Sequence, residues 1–98
     1  MSRASGTDHN DPYELRVTGL AQRRLERLTE GTAAAIVEFM LSALIDNPHS
    51  VGGRRQRELA GLHSARRGAY RVIYEIDDDQ HTVIVLRIDH GPRIYRSR

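Results

Sequence analysis

Gly61-Leu62-His63-Ser64-Ala65-Arg66-Arg67-Gly68-Ala69-Tyr70-Arg71-Val72-Ile73-Tyr74-Glu75-Ile76 holds two alternating runs that meet at an Arg67-Gly68 turn, with arginines on the polar side of both. Side chains alternate across a strand, so the second run places Tyr70, Val72, Tyr74 and Ile76 on one face and Arg71, Ile73 and Glu75 on the other. In the first run Leu62, Ser64 and Arg66 share a face. A tight turn therefore brings Arg66 and Arg71 to the same side of a sheet. An arginine inside a strand of β-branched and aromatic residues is either solvated on an open face or aimed at a site that handles anions.

Working outward, Tyr13-Glu14-Leu15-Arg16-Val17 alternates as a first strand, with Tyr13, Leu15 and Val17 inward. Thr18 is placed to cap a helix in which Ala21, Leu25 and Leu28 recur at helical spacing, with Arg23, Arg24, Glu26 and Arg27 outside. Thr29-Glu30-Gly31 reads as the end of that helix, with Gly31 at the C′ position. Thr32 then reads as the cap of a second helix from about Ala33 to Ile45, stopped by Asn47-Pro48. His49 to Glu58, with Gly52-Gly53 and Arg54, Arg55 and Arg57, lacks periodicity and reads as a loop. Leu62–Arg66, Ala69–Asp77 and Thr82–Asp89 are the later strands, Asp77 to Asp79 a hairpin tip, and Gly91 to Arg96 a basic tail. Near-continuous apolar residues in Thr82–Asp89 point to a central strand covered in part on both faces. The order β-α-α-β-β-β plus tail is an α+β fold: a two-helix hairpin packed on a mainly antiparallel sheet of about four strands.

The 98 residues make one domain, expected over 11–98, with 1–10 a disordered lead-in. The absence of cysteine excludes disulfides and thiolate metal sites and fits a reducing cytoplasm. No stretch is long and apolar enough for a membrane helix. Charge is uneven: residues 1–48 carry five Arg against seven acids, net −2, and residues 49–98 carry ten Arg against six acids, net +4. All fifteen basic residues are arginine, a planar fork suited to bidentate phosphate contact. An open sheet face floored by Arg66 and Arg71, and rimmed by Arg54, Arg55, Arg57 and Arg87, is a candidate RNA- or DNA-phosphate cleft. The alternative is a solvated surface paired with Glu75 or Asp89.

The five histidines have no metal-ligand spacing, and no metal or cofactor is expected. His63 falls on the core side of its strand, and His9, His49 and His81 on loops or turns. His90, beside the basic tail, is the acid–base candidate. Tyr13, Tyr70, Tyr74 and Phe39 fall on core faces, whereas Tyr95 lies in the tail, where a phenol can stack on a base or donate a proton.

The run Glu58-Leu59-x-Gly61-Leu62-His63-Ser64-Ala65-Arg66-Arg67-Gly68-x-Tyr70-Arg71-Val72-Ile73-Tyr74, followed by Val85-Leu86-Arg87-Ile88-Asp89-His90 and Ile94-Tyr95-Arg96, resembles the RelE/ParE superfamily of small toxins from bacterial type II toxin–antitoxin pairs. The resemblance spans residues 13–96. It implies a microbial-RNase-like fold and a ribosome-dependent mRNA endoribonuclease, restrained by a cognate RelB-like antitoxin. On that basis Arg71, His90 and Tyr95 are the expected catalytic residues. Arg54, Arg55, Arg66, Arg87 and Arg93 are the expected phosphate-binding residues. Potent mRNA-cleaving members carry basic residues where this chain has Leu62 and Ser64, and many continue His-Arg where it has His90-Gly91. Arg93, Arg54 or Arg55 is then expected to supply the charge. A ParE-like poison of DNA gyrase without nuclease activity, and a relic that only binds its antitoxin, remain open.

Overall fold

The computed structural model describes residues 11–54 and 61–90, with Gly53 and Arg54 described through their backbone. Elements follow as β1 (Glu14–Val17), α1 (Gly19–Arg27), α2 (Glu30–Phe39) extended by a π-helical turn (Met40–Leu44), α3 (Pro48–Val51), β2 (Gly53–Arg54), β3 (His63–Arg67), β4 (Tyr70–Asp77) and β5 (Thr82–His90). The sheet runs β1-β5-β4-β3-β2, antiparallel except for the parallel β1–β5 pair. The expected α+β architecture holds. The expected loop over 49–58 does not hold for its described part, because Pro48 opens a one-turn helix and Gly53–Arg54 pair with His63–Ser64 as a two-residue edge strand.

The helix junction also departs from expectation. Thr18 caps α1 as its sequence requires, its Oγ1 accepting from the Ala21 N–H at 3.2 Å. Thr29, however, and not Thr32, caps α2: its Oγ1 accepts from the Thr32 N–H at 3.3 Å. Gly31 therefore lies in the first turn of α2 instead of ending α1, which stops at Leu28. The second helix also does not stay α-helical to Ile45. Ile36, Met40 and Leu44 are buried at four-residue intervals, and each such step overshoots an α-helical face by about 40°. Widening to a π turn keeps Met40 and Leu44 in line, and the Ser42 hydroxyl takes the Glu38 carbonyl at 2.7 Å.

The core lies between the helices and one face of the sheet. It joins Ala21, Ile36, Met40 and Leu44 to Ala65, Val72, Tyr74, Val83, Val85 and Ile88, with Tyr13, Phe39, Tyr70 and Ile76 packed against it. Tyr70, Val72, Tyr74 and Ile76 thus share the helix side, as alternation requires. Val83, Val85 and Ile88 cannot share a face by strict alternation. The register resolves this: Tyr74 opposes Val85 and Ile73 opposes Arg87, so Leu86 has no partner on β4 and forms a bulge. The bulge turns Ile88 to the core and Arg87 to the other side. Its carbonyl accepts from the Thr18 hydroxyl at 2.8 Å, so one side chain both caps α1 and satisfies the bulge.

The β3–β4 turn is Gly68-Ala69, closed by the Arg67–Tyr70 pair, one residue later than the sequence pattern placed it. Gly68 has φ +62 while Ala69 stays at negative φ, the sign pattern of a type II′ hairpin turn whose first central position favours glycine.

Candidate functional site

The face of the sheet away from the helices is laid out in cross-strand rows. Arg66, Arg71 and Asp89 form one row on β3, β4 and β5; Ser64, Ile73 and Arg87 form the next. Further along lie Glu75, Ile84 and Arg16, then Asp77, Thr82 and Glu14. The face is therefore polarised. Its β3–β4 turn end holds three guanidiniums against one carboxylate, and its other end holds three carboxylates against one guanidinium. Arg87 Nε donates to Asp89 Oδ2 at 3.1 Å, with both side chains partly exposed. Arg66 and Arg71 are directly opposite each other, with Asp89 in register on the far side of Arg71, and like charges facing across a pair of strands are unfavourable unless negative charge lies close by. Ile73, buried to 2% exposure between Ser64 and Arg87, gives this floor a rigid apolar centre.

Arg66, Arg71 and Arg87 thus come together as the sequence pattern expects. His90 does not join them. It opposes Tyr70 on the helix side, with its ring edge-on at 4.9 Å, while Asp89 takes the place across from Arg71. Arg54 joins the sheet at the β3 edge through its backbone pairing with His63. Arg55, Arg93 and Tyr95 lie outside the described residues, as do His9 and Arg57. No group of three or more His, Cys, Asp or Glu side chains among the described residues is arranged to hold a metal ion. Among the described residues no helix is long and apolar enough to cross a membrane.

A polar cluster at the β4–β5 tip had no signal in local spacing. The Tyr13 hydroxyl donates to Asp78 Oδ1 at 2.6 Å, across 65 residues of chain, and His49 Nε2 lies 3.0 Å from the same oxygen. His81 stacks on Tyr13 at 3.9 Å, and its Nε2 lies 3.0 Å from the Asp11 carbonyl. His81 sits at φ 52, a left-handed conformation that closes the turn. The hydrogen bond from Tyr13, then that from His49, holds the Asp78 carboxyl below its ordinary 3.8, and the same bond to Asp78 pushes the Tyr13 phenol up to about 12. The rings continue inward: His49 is edge-on to His63 at 6.1 Å, and His63 stacks on Tyr74 at 5.4 Å. His63 thus lies on the core side, as its strand parity requires. Burial pushes the Tyr74 phenol up to about 12, and it donates to the Pro48 carbonyl at 2.7 Å. This cluster ties the start of β1, α3 and the hairpin tip together, away from the arginine rows.

The family model for the ParE toxin of type II toxin–antitoxin systems, parDE, matches residues 15–95. Toxin RelE of Mycobacterium tuberculosis is 48% identical over 89 residues, covering 91% of this chain and 90% of its own. Toxin RelG of the same organism is 49% identical over 85 residues, covering 87% of this chain and 98% of its own. Among solved structures, the toxin–antitoxin complex RelBE2 from Mycobacterium tuberculosis contains a chain with a TM-score of 0.77 at 49% identity, covering 81% of this chain and 91% of that one. The archaeal RelE–RelB complex from Pyrococcus horikoshii shares the fold, with a TM-score of 0.68 at 21% identity, covering 85% of this chain and 99% of that one. With the two-helix layer, the bulged sheet and the arginine rows in place, this chain belongs to the RelE/ParE superfamily of type II toxins.

Proposed function

We propose that this protein is a ribosome-dependent mRNA endoribonuclease, neutralised by a cognate RelB-like antitoxin. The observation that carries the reading is the cross-strand pair Arg66–Arg71 with Arg87 in the adjacent row, a rigid guanidinium surface on the face the helices leave open. Relatives named as RelE and RelG toxins, and a similar chain found in a RelBE2 complex, support it. In the proposed reaction a ribose 2′-OH attacks the adjacent phosphate, the 5′-oxygen leaves, and a cyclic phosphate remains. Negative charge grows on the phosphoryl oxygens, and Arg71, fixed in the middle strand of the sheet, stabilises it without reorganising. Arg66 and Arg87 position the flanking phosphates, together with Arg54, Arg55 and Arg93. Tyr95 is the proposed proton donor or acceptor; His90, which faces the helix side with Tyr70, is not proposed to take part.

A second reading is a ParE-like gyrase poison. The placement of His90 on the helix side favours it, because no His or Tyr of the described strands shares a face with Arg71. The test is incubation of the purified chain with programmed ribosomes, read by primer extension, beside induction in cells with message integrity and DNA supercoiling followed separately. Cleavage in the ribosomal A site supports the nuclease. Growth arrest with intact message and altered supercoiling assigns the protein to gyrase.

A further inference from the structure

A ribose 2′-OH that attacks phosphorus must lose its proton, and the strand beside Arg71 carries a group placed to take it. Asp89 lies directly across from Arg71 on β5, in the Arg66–Arg71–Asp89 row, on the face the helices leave open. Its side chain is 34% exposed, so a substrate lying over the arginines can reach it. The two rows that hold Arg66, Arg71 and Arg87 contain, besides these guanidiniums, only Ser64, Ile73 and this one carboxylate. A guanidinium has no acceptor site, and a serine hydroxyl is a far weaker base than a carboxylate. The next carboxylate on this face, Glu75, lies four residues along β4 from Arg71, about 13 Å away. His90 and Tyr70 sit together on the other side of the sheet. Among the described residues, Asp89 is therefore the one basic side chain next to Arg71.

We propose that Asp89 is the general base of the cleavage, a role that rests on the nuclease reading and deepens it. As the 2′-oxygen bonds to phosphorus, its proton passes to the Asp89 carboxylate. The bond from phosphorus to the 5′-oxygen breaks, and that oxygen takes a proton from Tyr95. A cyclic phosphate and a 5′-hydroxyl remain, and solvent carries the proton from Asp89 back to Tyr95. Arg87 Nε donates to Asp89 Oδ2 at 3.1 Å, which holds the carboxylate in place on a rigid strand. An ionised carboxylate offers about four lone-pair sites, so this bond leaves room for the ribose hydroxyl. The charges also suit the step. In the resting site the negative charge facing the arginines sits on Asp89. When Asp89 takes the proton it becomes neutral, and the charge appears on the phosphoryl oxygens over the same rows. The guanidiniums thus keep an anionic partner throughout and need not reorganise. A surface built only to hold phosphate would be weakened by a carboxylate in its midst, whereas a surface that must also accept a proton requires one.

The test compares the purified parent chain with two variants on programmed ribosomes. Asp89→Asn keeps the shape and an acceptor for Arg87 but is no base. Its kcat should fall by about 10²–10⁴ while KM stays within about twofold of the parent value. Asp89→Ala opens space for an added carboxylate. At constant ionic strength acetate should restore more of its rate than chloroacetate, which is less basic, because a proton acceptor acts through its basicity and a mere counterion for Arg87 does not. Both variants should keep the parent's circular dichroism spectrum and urea midpoint, since an exposed ion pair contributes little to stability. A parent chain that leaves message whole refutes the nuclease reading and this assignment with it. Where the parent cleaves, an Asp89→Asn chain that cleaves as fast, a loss confined to KM, or an alanine variant not rescued in the order of basicity overturns the role of Asp89 alone.

Discussion

Gly52→Ala is expected to damage this protein out of proportion to a single methyl group. Gly52 has φ −125, which any residue adopts, so no backbone strain is involved. A Cβ at this position would lie 2.5 Å from the Tyr74 hydroxyl and 2.7 Å from the Ser64 carbonyl oxygen, short of an ordinary 3.4 Å contact by 0.9 and 0.7 Å. Neither neighbour yields easily: Tyr74 is fully buried with its hydroxyl donating to Pro48, and the Ser64 backbone is held between β2 and β4. Overpacking of this kind costs about 2–3 kcal/mol. Tyr74→Phe alone should cost about 1–2 kcal/mol, because the buried Pro48 carbonyl loses its donor. In the double variant one of the two clashes is gone, so the combined loss should fall short of the sum by about 1 kcal/mol. Urea denaturation of the four proteins, with equal m-values, reads these numbers directly. A neutral Gly52→Ala, or losses that add within about 0.3 kcal/mol, would refute the argument that the hydroxyl and the glycine share one space.

Arg71→Ala should leave stability within about 1 kcal/mol of the parent, whereas Tyr74→Ala should cost about 3–5 kcal/mol as a large core deletion; equal losses would mean the face assignment is wrong. The same Arg71→Ala change should lower message cleavage by about 10²–10³ on programmed ribosomes, with antitoxin capture retained. Arg93→Ala tests whether the tail replaces the charge absent at Gly91, and should reduce cleavage roughly tenfold or more, with no loss meaning that another arginine fills the role. The tip cluster predicts a two-sided pH profile for the stability difference between the parent and Asp78→Asn. The Asp78 carboxyl is lowered on folding, so its contribution is present above its unfolded value of 3.8 and fades as pH falls through the folded one. The Tyr13 phenol is raised from 10.0 to about 12, so its contribution is intact below pH 10.0 and fades between there and about 12. Thermal melts at a series of pH values give the profile, and a difference that stays flat at both ends would show that Asp78 is solvated instead of held.

What the chain discloses in advance depends on how far apart the interacting residues are. Ala21, Leu25 and Leu28 announce a helix, and Tyr70, Val72 and Tyr74 a strand, because each pattern is set by neighbours a few positions away. Thr29 and Thr32 both suit a helix cap and Gly31 between them suits a helix end, so local sequence does not choose between them; the Thr29 hydroxyl, which accepts from the Thr32 N–H, does. The strand partner of Gly53–Arg54 lies beyond residue 60, and no repeat in so short a segment marks it. The pairing of Arg66 with Arg71 was legible because a tight turn fixes register. The separation of His90 from them was not, because it follows from a bulge whose position is set by pairing across the sheet and by Thr18.

That bulge gives β5 a phase shift, and with it an unequal tolerance to loss of length. Upstream of Leu86 the strand keeps one parity, downstream the other, and only Leu86 belongs to neither. Deleting Leu86 would leave Val83, Val85 and Ile88 inward and Arg87 outward. Deleting Ile84 with the downstream pairing kept would bring Val85 out to the solvent side. Related chains that lack one residue in this strand should therefore lack it at the bulge. Where they do, the residue at position 18 is released from its second duty, and any good helix cap can stand there in place of threonine.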